Sequence, residues 1–109
     1  MKQNEAVIQK SIMAYLEHLS RYRRIYYFRS AAGAVLTATG RYFKTGRAGT
    51  PDITCCWQGK YIGLEVKTSK GRQTTGQRQA QIEIEAAGGE YYIVRSIEDV
   101  ERIFKQGKS

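Results

Sequence analysis

The 109 residues leave room for one domain, 1–109, with a modest core, and 41% hydrophobic with 26% charged residues is the composition of a soluble globular protein rather than a fibrous or disordered one. Eighteen Lys and Arg against ten Asp and Glu give a net charge of +8, which turns the search for partners toward polyanions. No apolar run reaches the length of a membrane span and no signal-peptide hydrophobic region is visible, so neither a membrane nor a secretory route is expected.

In chain order, a helix is expected first, over residues 4–20. Ile8, Ile12, Leu16 and Leu19 recur at helical spacing, and Asn4 stands where an N-cap is wanted. At about 100° per residue, Glu5 lies in line with Ile12 and Leu16, on or beside the inward face. Its alternative role is a favourable interaction with the dipole of the first turn. Residues 21–50 carry seven basic side chains (Arg21, Arg23, Arg24, Arg29, Arg41, Lys44 and Arg47) and no acidic one. Such a one-signed stretch attracts polyanions or forms a solvated basic surface. Within it, 25–29 reads as an aromatic-rich strand. The segment 31–39 is ambiguous and could pair with that strand. Residues 40–50 read as a mobile, glycine-rich loop offering Arg41, Lys44 and Arg47 to phosphates.

Strands at 52–57 and 60–67 follow, joined by a turn at Gln58-Gly59. Cys55 and Cys56 are adjacent, so in a strand they point to opposite faces and stay reduced, which fits a cytosolic compartment. A helix from Thr74 or Thr75 to residue 87 comes next. Thr74 and Gln77 have capping-box spacing, and Gly88-Gly89 stops the helix. A strand at 91–95 and a last helix opened by Ser96 and Asp99, with Ile97, Val100, Ile103 and Phe104 on its apolar face, complete the order. This order predicts an α/β fold, a mixed sheet with helices packed on it. Tyr22, Tyr26, Tyr27, Tyr42, Tyr91 and Tyr92 are available for base stacking, a dimer interface or the core.

The hairpin is the most informative segment. Counting outward from the turn, Trp57 faces Lys60, Cys56 faces Tyr61, Cys55 faces Ile62, Thr54 faces Gly63, Ile53 faces Leu64 and Asp52 faces Glu65. Opposed residues share a face, so Asp52 and Glu65 become neighbours, and Lys67 joins them by alternation. Like charges directly opposed destabilise a sheet. Three remedies are open: a shared proton, a divalent cation, or neutralisation by Lys67. The cation brings a chemistry with it, since it polarises a phosphoryl oxygen and lowers the pKa of bound water. Lys67 would then orient the water, stabilise developing charge or act as a base.

Pro51-Asp52 followed by Glu65-Val66-Lys67 resembles the PD-(D/E)xK nuclease pattern. Gly49-Thr50-Pro51-Asp52, the Glu65-Val66-Lys67 strand, Thr74 to Gln77, and Gly89 followed by a strand and Ser96 together are similar to the virus-type replication-repair nuclease (VRR-NUC) domain, over almost the whole chain. The resemblance implies a restriction-endonuclease-like fold, a mixed sheet flanked by helices, and Mg²⁺- or Mn²⁺-dependent phosphodiester hydrolysis. It implies Asp52 and Glu65 as metal ligands, the backbone carbonyl of Val66 as a third, and Glu5 reaching the metal through water. Lys67 becomes the catalytic lysine and Gln77 lies near the site, with helix capping as its alternative role. Thr74 and Thr75 stand where a serine is common.

Small single-domain members of that family process DNA in bacteria and phages. This implies a homodimeric Holliday-junction resolvase acting on branched DNA in a bacterial or phage-infected cytoplasm. Lys70 and Arg72 join Arg41, Lys44 and Arg47 as expected nucleic-acid contacts. One alternative is a sequence-specific restriction-type endonuclease, which so small a chain suits less because base readout needs further elements. The other is a non-catalytic nucleic-acid-binding module.

Overall fold

The computed structural model describes residues 4–30, 33–36 and 38–106, and at 33–36, 42–45 and 106 the backbone alone. Among these residues the chain runs α1 (Glu5–Ser20), β1 (Ile25–Arg29), β2 (Gly33–Leu36), β3 (Tyr42–Thr45), β4 (Ile53–Trp57), β5 (Lys60–Val66), α2 (Thr75–Ala86), β6 (Glu90–Val94) and α3 (Ile97–Gln106). The fold is α/β. Four strands form a mixed sheet in the order β1-β4-β5-β6, antiparallel across β1, β4 and β5 and parallel between β5 and β6. Helix α2 makes the crossover that a parallel pair requires. No helix among the described residues is long and apolar enough to cross a membrane.

Helix α1 starts where its cap predicts: the Asn4 side-chain oxygen accepts the Val7 N–H at 2.9 Å. Its apolar stripe buries Ile8, Ile12 and Leu16 against one face of the sheet, where α3 adds Val100 and Phe104. The strands answer with Ile25, Ile53, Cys55, Trp57, Ile62, Leu64, Val66 and Val94, all buried. The Trp57 and Phe104 rings meet edge to face at 5.0 Å. Strand alternation sends Thr54, Cys56, Tyr61, Gly63, Glu65, Tyr91 and Ile93 to the opposite face. There α2 packs on β6 without burying any of its own residues fully.

The hairpin register follows the count pair by pair, from Trp57–Lys60 to Ile53–Leu64. Gln58 at φ 53° and Gly59 at φ 77° supply the two left-handed residues of a type I′ turn. Cys55 is buried and Cys56 exposed, both as free thiols, and burial pushes the Cys55 thiol up to about 12. The capping box of α2 is complete, with Thr74 and Gln77 bonding each other's backbone.

Two expectations change. The described part of 31–39, strand β2, does not pair with β1. It pairs with β3, from Gly33–Thr45 to Leu36–Tyr42, while residues 31, 32 and 37 lie outside the described residues. For the same reason 40–50 is not one loop. Tyr42, Phe43 and Thr45 are residue types that favour a strand. The glycines act at its ends, Gly40 at φ 84° and Gly46 at φ 67°.

Candidate active site

The β4 strand enters the sheet over Pro51, which is buried on Gly63. A Cβ at Gly63 would stand 2.6 Å from Pro51 Cγ, so the close approach requires glycine there. At Asp52 the chain leaves the ladder. Its carbonyl accepts the Ser30 N–H at 2.8 Å, and its Oδ2 accepts the Val66 N–H at 2.8 Å. The side chain thus replaces the backbone as the partner of β5, which turns its carboxylate toward Glu65 and the end of that strand.

Glu65 and Lys67 are the two buried charged residues among those described, at 3% and 7% exposure. Glu65 Oε2 accepts from Gln77 Nε2 at 2.8 Å and lies 3.7 Å from Lys67 Nζ. Its Oε1 is buried with no partner. Burial, then the Asp52 charge, hold the Glu65 carboxyl up to about 8. Lys67 offsets part of this, while a hydrogen bond with Asp52 and the charge of Glu5 push the same way as burial. The ammonium beside Glu65 favours its charged form, but burial and the second carboxylate outweigh it.

Gln77 is held from both ends. Its backbone N–H reaches Thr74 Oγ1 at 3.1 Å, its side-chain oxygen accepts the Thr74 N–H at 2.9 Å, and its Nε2 remains for Glu65. Helix capping and contact with the site, alternatives in the sequence, are thus one arrangement. The turn after β5 is fastened as well. Arg95 donates to the carbonyls of Thr68 and Gly71, at 2.5 and 2.9 Å, and Gly71 leaves room for the Lys67 stem.

Asp52, Glu65, Lys67 and Gln77 therefore converge. Glu5 does not join them directly. It is exposed, because burial along that face of α1 begins only at Ile8, and it acts on Glu65 through its charge. Among the described residues no three His, Cys, Asp or Glu side chains gather as a ligand set for a metal ion. Of the expected phosphate contacts, Lys70 and Arg72 are exposed in the turn after β5, and Arg41 is exposed near β3. The Lys44 side chain lies outside those described. Arg47 is ion-paired with Glu83 of α2 at 2.9 Å. That pair lines a cavity of about 520 Å³ between residues 47–51 and α2, beside the carboxylates rather than at them. Sequence reasoning missed Arg95, whose carbonyl partners only the folded turn brings within reach; it named Tyr91 for stacking, a dimer interface or the core but not for a place beside Glu65, which depends on the β5–β6 register.

Compared with known proteins, the chain matches no family model, no curated protein and no solved structure.

Proposed function

We propose that this protein is a metal-dependent, structure-selective DNA endonuclease of the PD-(D/E)xK class, with a restriction-endonuclease-like fold, acting as a homodimer on branched DNA such as Holliday junctions. One observation carries the reading: Asp52 and Glu65 meet beside Lys67, and buried Glu65 keeps one oxygen without a partner. An ion pair serving stability alone is expected to satisfy its buried oxygens.

The donors suit a hard divalent cation, Mg²⁺ or Mn²⁺. Asp52, Glu65 and the Val66 carbonyl would hold it, with water completing its shell and Glu5 adding charge from farther out. Such an ion, when bound, polarises a phosphoryl oxygen and lowers the pKa of bound water. The chain's own residues do the rest. Gln77 fixes Glu65 through Oε2 and leaves Oε1 to a ligand. Lys67 places a positive charge where negative charge grows on the scissile phosphate. Lys70, Arg72 and Arg41 hold the flanking phosphates.

Cleavage of a labelled four-way junction tests this, beside matched linear duplex and flap, in Mg²⁺, Mn²⁺ or EDTA, with wild type and Lys67→Ala. Symmetric, metal-dependent nicking of the junction that Lys67→Ala loses is expected. Cutting of flap or linear DNA instead keeps the nuclease and discards junction selectivity. Absence of cleavage on every substrate overturns the reading.

A further inference from the structure

Two buried side-chain atoms among the described residues lack a hydrogen-bond partner: Oε1 of Glu65 and the hydroxyl of Tyr91. They come from neighbouring strands and one face. In the parallel ladder Gly63 pairs with Tyr91 and Glu65 with Ile93, so Tyr91 stands diagonally beside Glu65, with the bare backbone of Gly63 opposite it. Tyr91 is 5% exposed. Its pKa is raised by burial first and then by the charges of Glu65 and Asp52, so the phenol lies within electrostatic reach of both carboxylates and remains a neutral O–H donor. A hydrogen-bonding interaction with Gln73 acts on the phenol in the opposite direction; the Gln73 amide donates to Gln81 at 2.8 Å through one of its two N–H groups, and no partner meets the Tyr91 hydroxyl at hydrogen-bond geometry.

Native proteins rarely leave buried polar groups unpaired, and each exception calls for an explanation. Here the phenol orphan is a donor, the carboxyl orphan accepts when ionised and can donate when protonated, and the two are not bonded to each other. A water molecule meets both needs at once, accepting from the phenol and either donating to the Glu65 carboxylate or accepting from its protonated form. We propose that Tyr91 and Glu65 together hold a water molecule in the candidate active site, with Tyr91 as a positioning residue. The water site follows from burial and register alone; its part in cleavage rests on the nuclease reading above. Tyr92, the next residue, has no such part: its hydroxyl already donates to Glu90 at 2.6 Å.

High-resolution crystal structures of the wild type and Tyr91→Phe test the site, alongside cleavage kinetics of both and of Glu65→Ala on the four-way junction. The wild type should show a water within hydrogen-bond distance of Tyr91 Oη and Glu65 Oε1, absent in Tyr91→Phe with Glu65 and Gln77 unmoved. Tyr91→Phe should lower kcat by about 10- to 100-fold, the range typical of partners that orient a site's ligands. KM and the melting temperature should be held. A direct bond from Tyr91 to Glu65 or Gln73, with no water, overturns the proposal. So does an unchanged kcat in Tyr91→Phe while Glu65→Ala is inactive, an outcome that leaves the nuclease reading intact. If the wild type cleaves nothing, the nuclease reading fails, and the crystallographic water alone decides for or against the Tyr91 site.

Discussion

One face of the four-stranded sheet meets α1 and α3 through Ile8, Ile12, Leu16, Val100 and Phe104, all buried; the other meets α2, which buries none of its residues fully. The first face is apolar almost throughout. The second holds Glu65 and Lys67 at 3% and 7% exposure, an unpartnered carboxylate oxygen and an unpartnered phenol. Burying charge is costly even when it is paired, whereas each buried apolar side chain contributes roughly 1.5–3 kcal/mol. The apolar face thus supplies the stability that lets its opposite tolerate a polar, incompletely satisfied cluster. Such a division fits a small chain, where one layer of core serves both ends.

Mutations that remove packing from each face test this division most strongly. Phe104, 1% exposed and stacked edge to face on Trp57, should cost about 3–5 kcal/mol on truncation to alanine, measured by urea unfolding. Ile82 of α2, 53% exposed, should cost within about 0.5 kcal/mol on the same change. Equal losses at the two positions would break the comparison.

A smaller effect should separate the faces by pH. The Glu65 carboxyl is raised to about 8 from 4.5, so between those values the folded protein binds the proton that the unfolded chain has released. Stability from this group is therefore present at the acid end and lost as pH rises through that window. In EDTA, the melting temperature of Glu65→Gln minus that of wild type should increase from pH 5 to pH 8. Parallel curves would show that Asp52 and burial do not hold the proton there.

How much of this was legible in the sequence follows the same division. The hairpin could be counted because Gln58-Gly59 fixes a two-residue turn, and a period of two then decides every facing pair down to Ile53–Leu64. The apolar stripes of α1 and α3 could be read for a like reason. Glu5 could not be read fully. Helical spacing gives a direction, but what covers that direction depends on where the sheet ends, and burial starts only at Ile8. The β2–β3 pair was hidden because the glycines that bound it read as loop. Tyr91 needed the parallel β5–β6 register, which is set by an α2 crossover rather than by a countable turn.

The smallest expected effect concerns Arg47, where the sequence offers a phosphate contact and the fold offers another partner. Arg47 stands in a segment tied to α2: Thr50 bonds the Arg47 carbonyl through both its N–H and its hydroxyl. Gly49, at φ 79°, sits so close that a Cβ would stand 2.1 Å from the Gly76 carbonyl oxygen. From there the guanidinium reaches Glu83 at 2.9 Å, with side-chain exposures of 83% and 47%. An exposed pair of this kind contributes about 0–1 kcal/mol, so Arg47→Ala should scarcely move the melting temperature. It also means that a phosphate must displace Glu83 before Arg47 can neutralise it. Arg72, exposed in the turn after β5, makes no ion pair among the described residues and has no such exchange to make. DNA affinity measured against salt should distinguish the two. Arg72→Ala should lower the slope of log K on log[salt] by about 0.9, the value for one lost duplex phosphate contact, while Arg47→Ala leaves it near wild type. Glu83→Ala should then strengthen binding and steepen the slope, because it frees the Arg47 guanidinium for the polyanion. If Arg47→Ala takes the full loss instead, the ion pair yields to DNA and the α2 face is part of the binding surface.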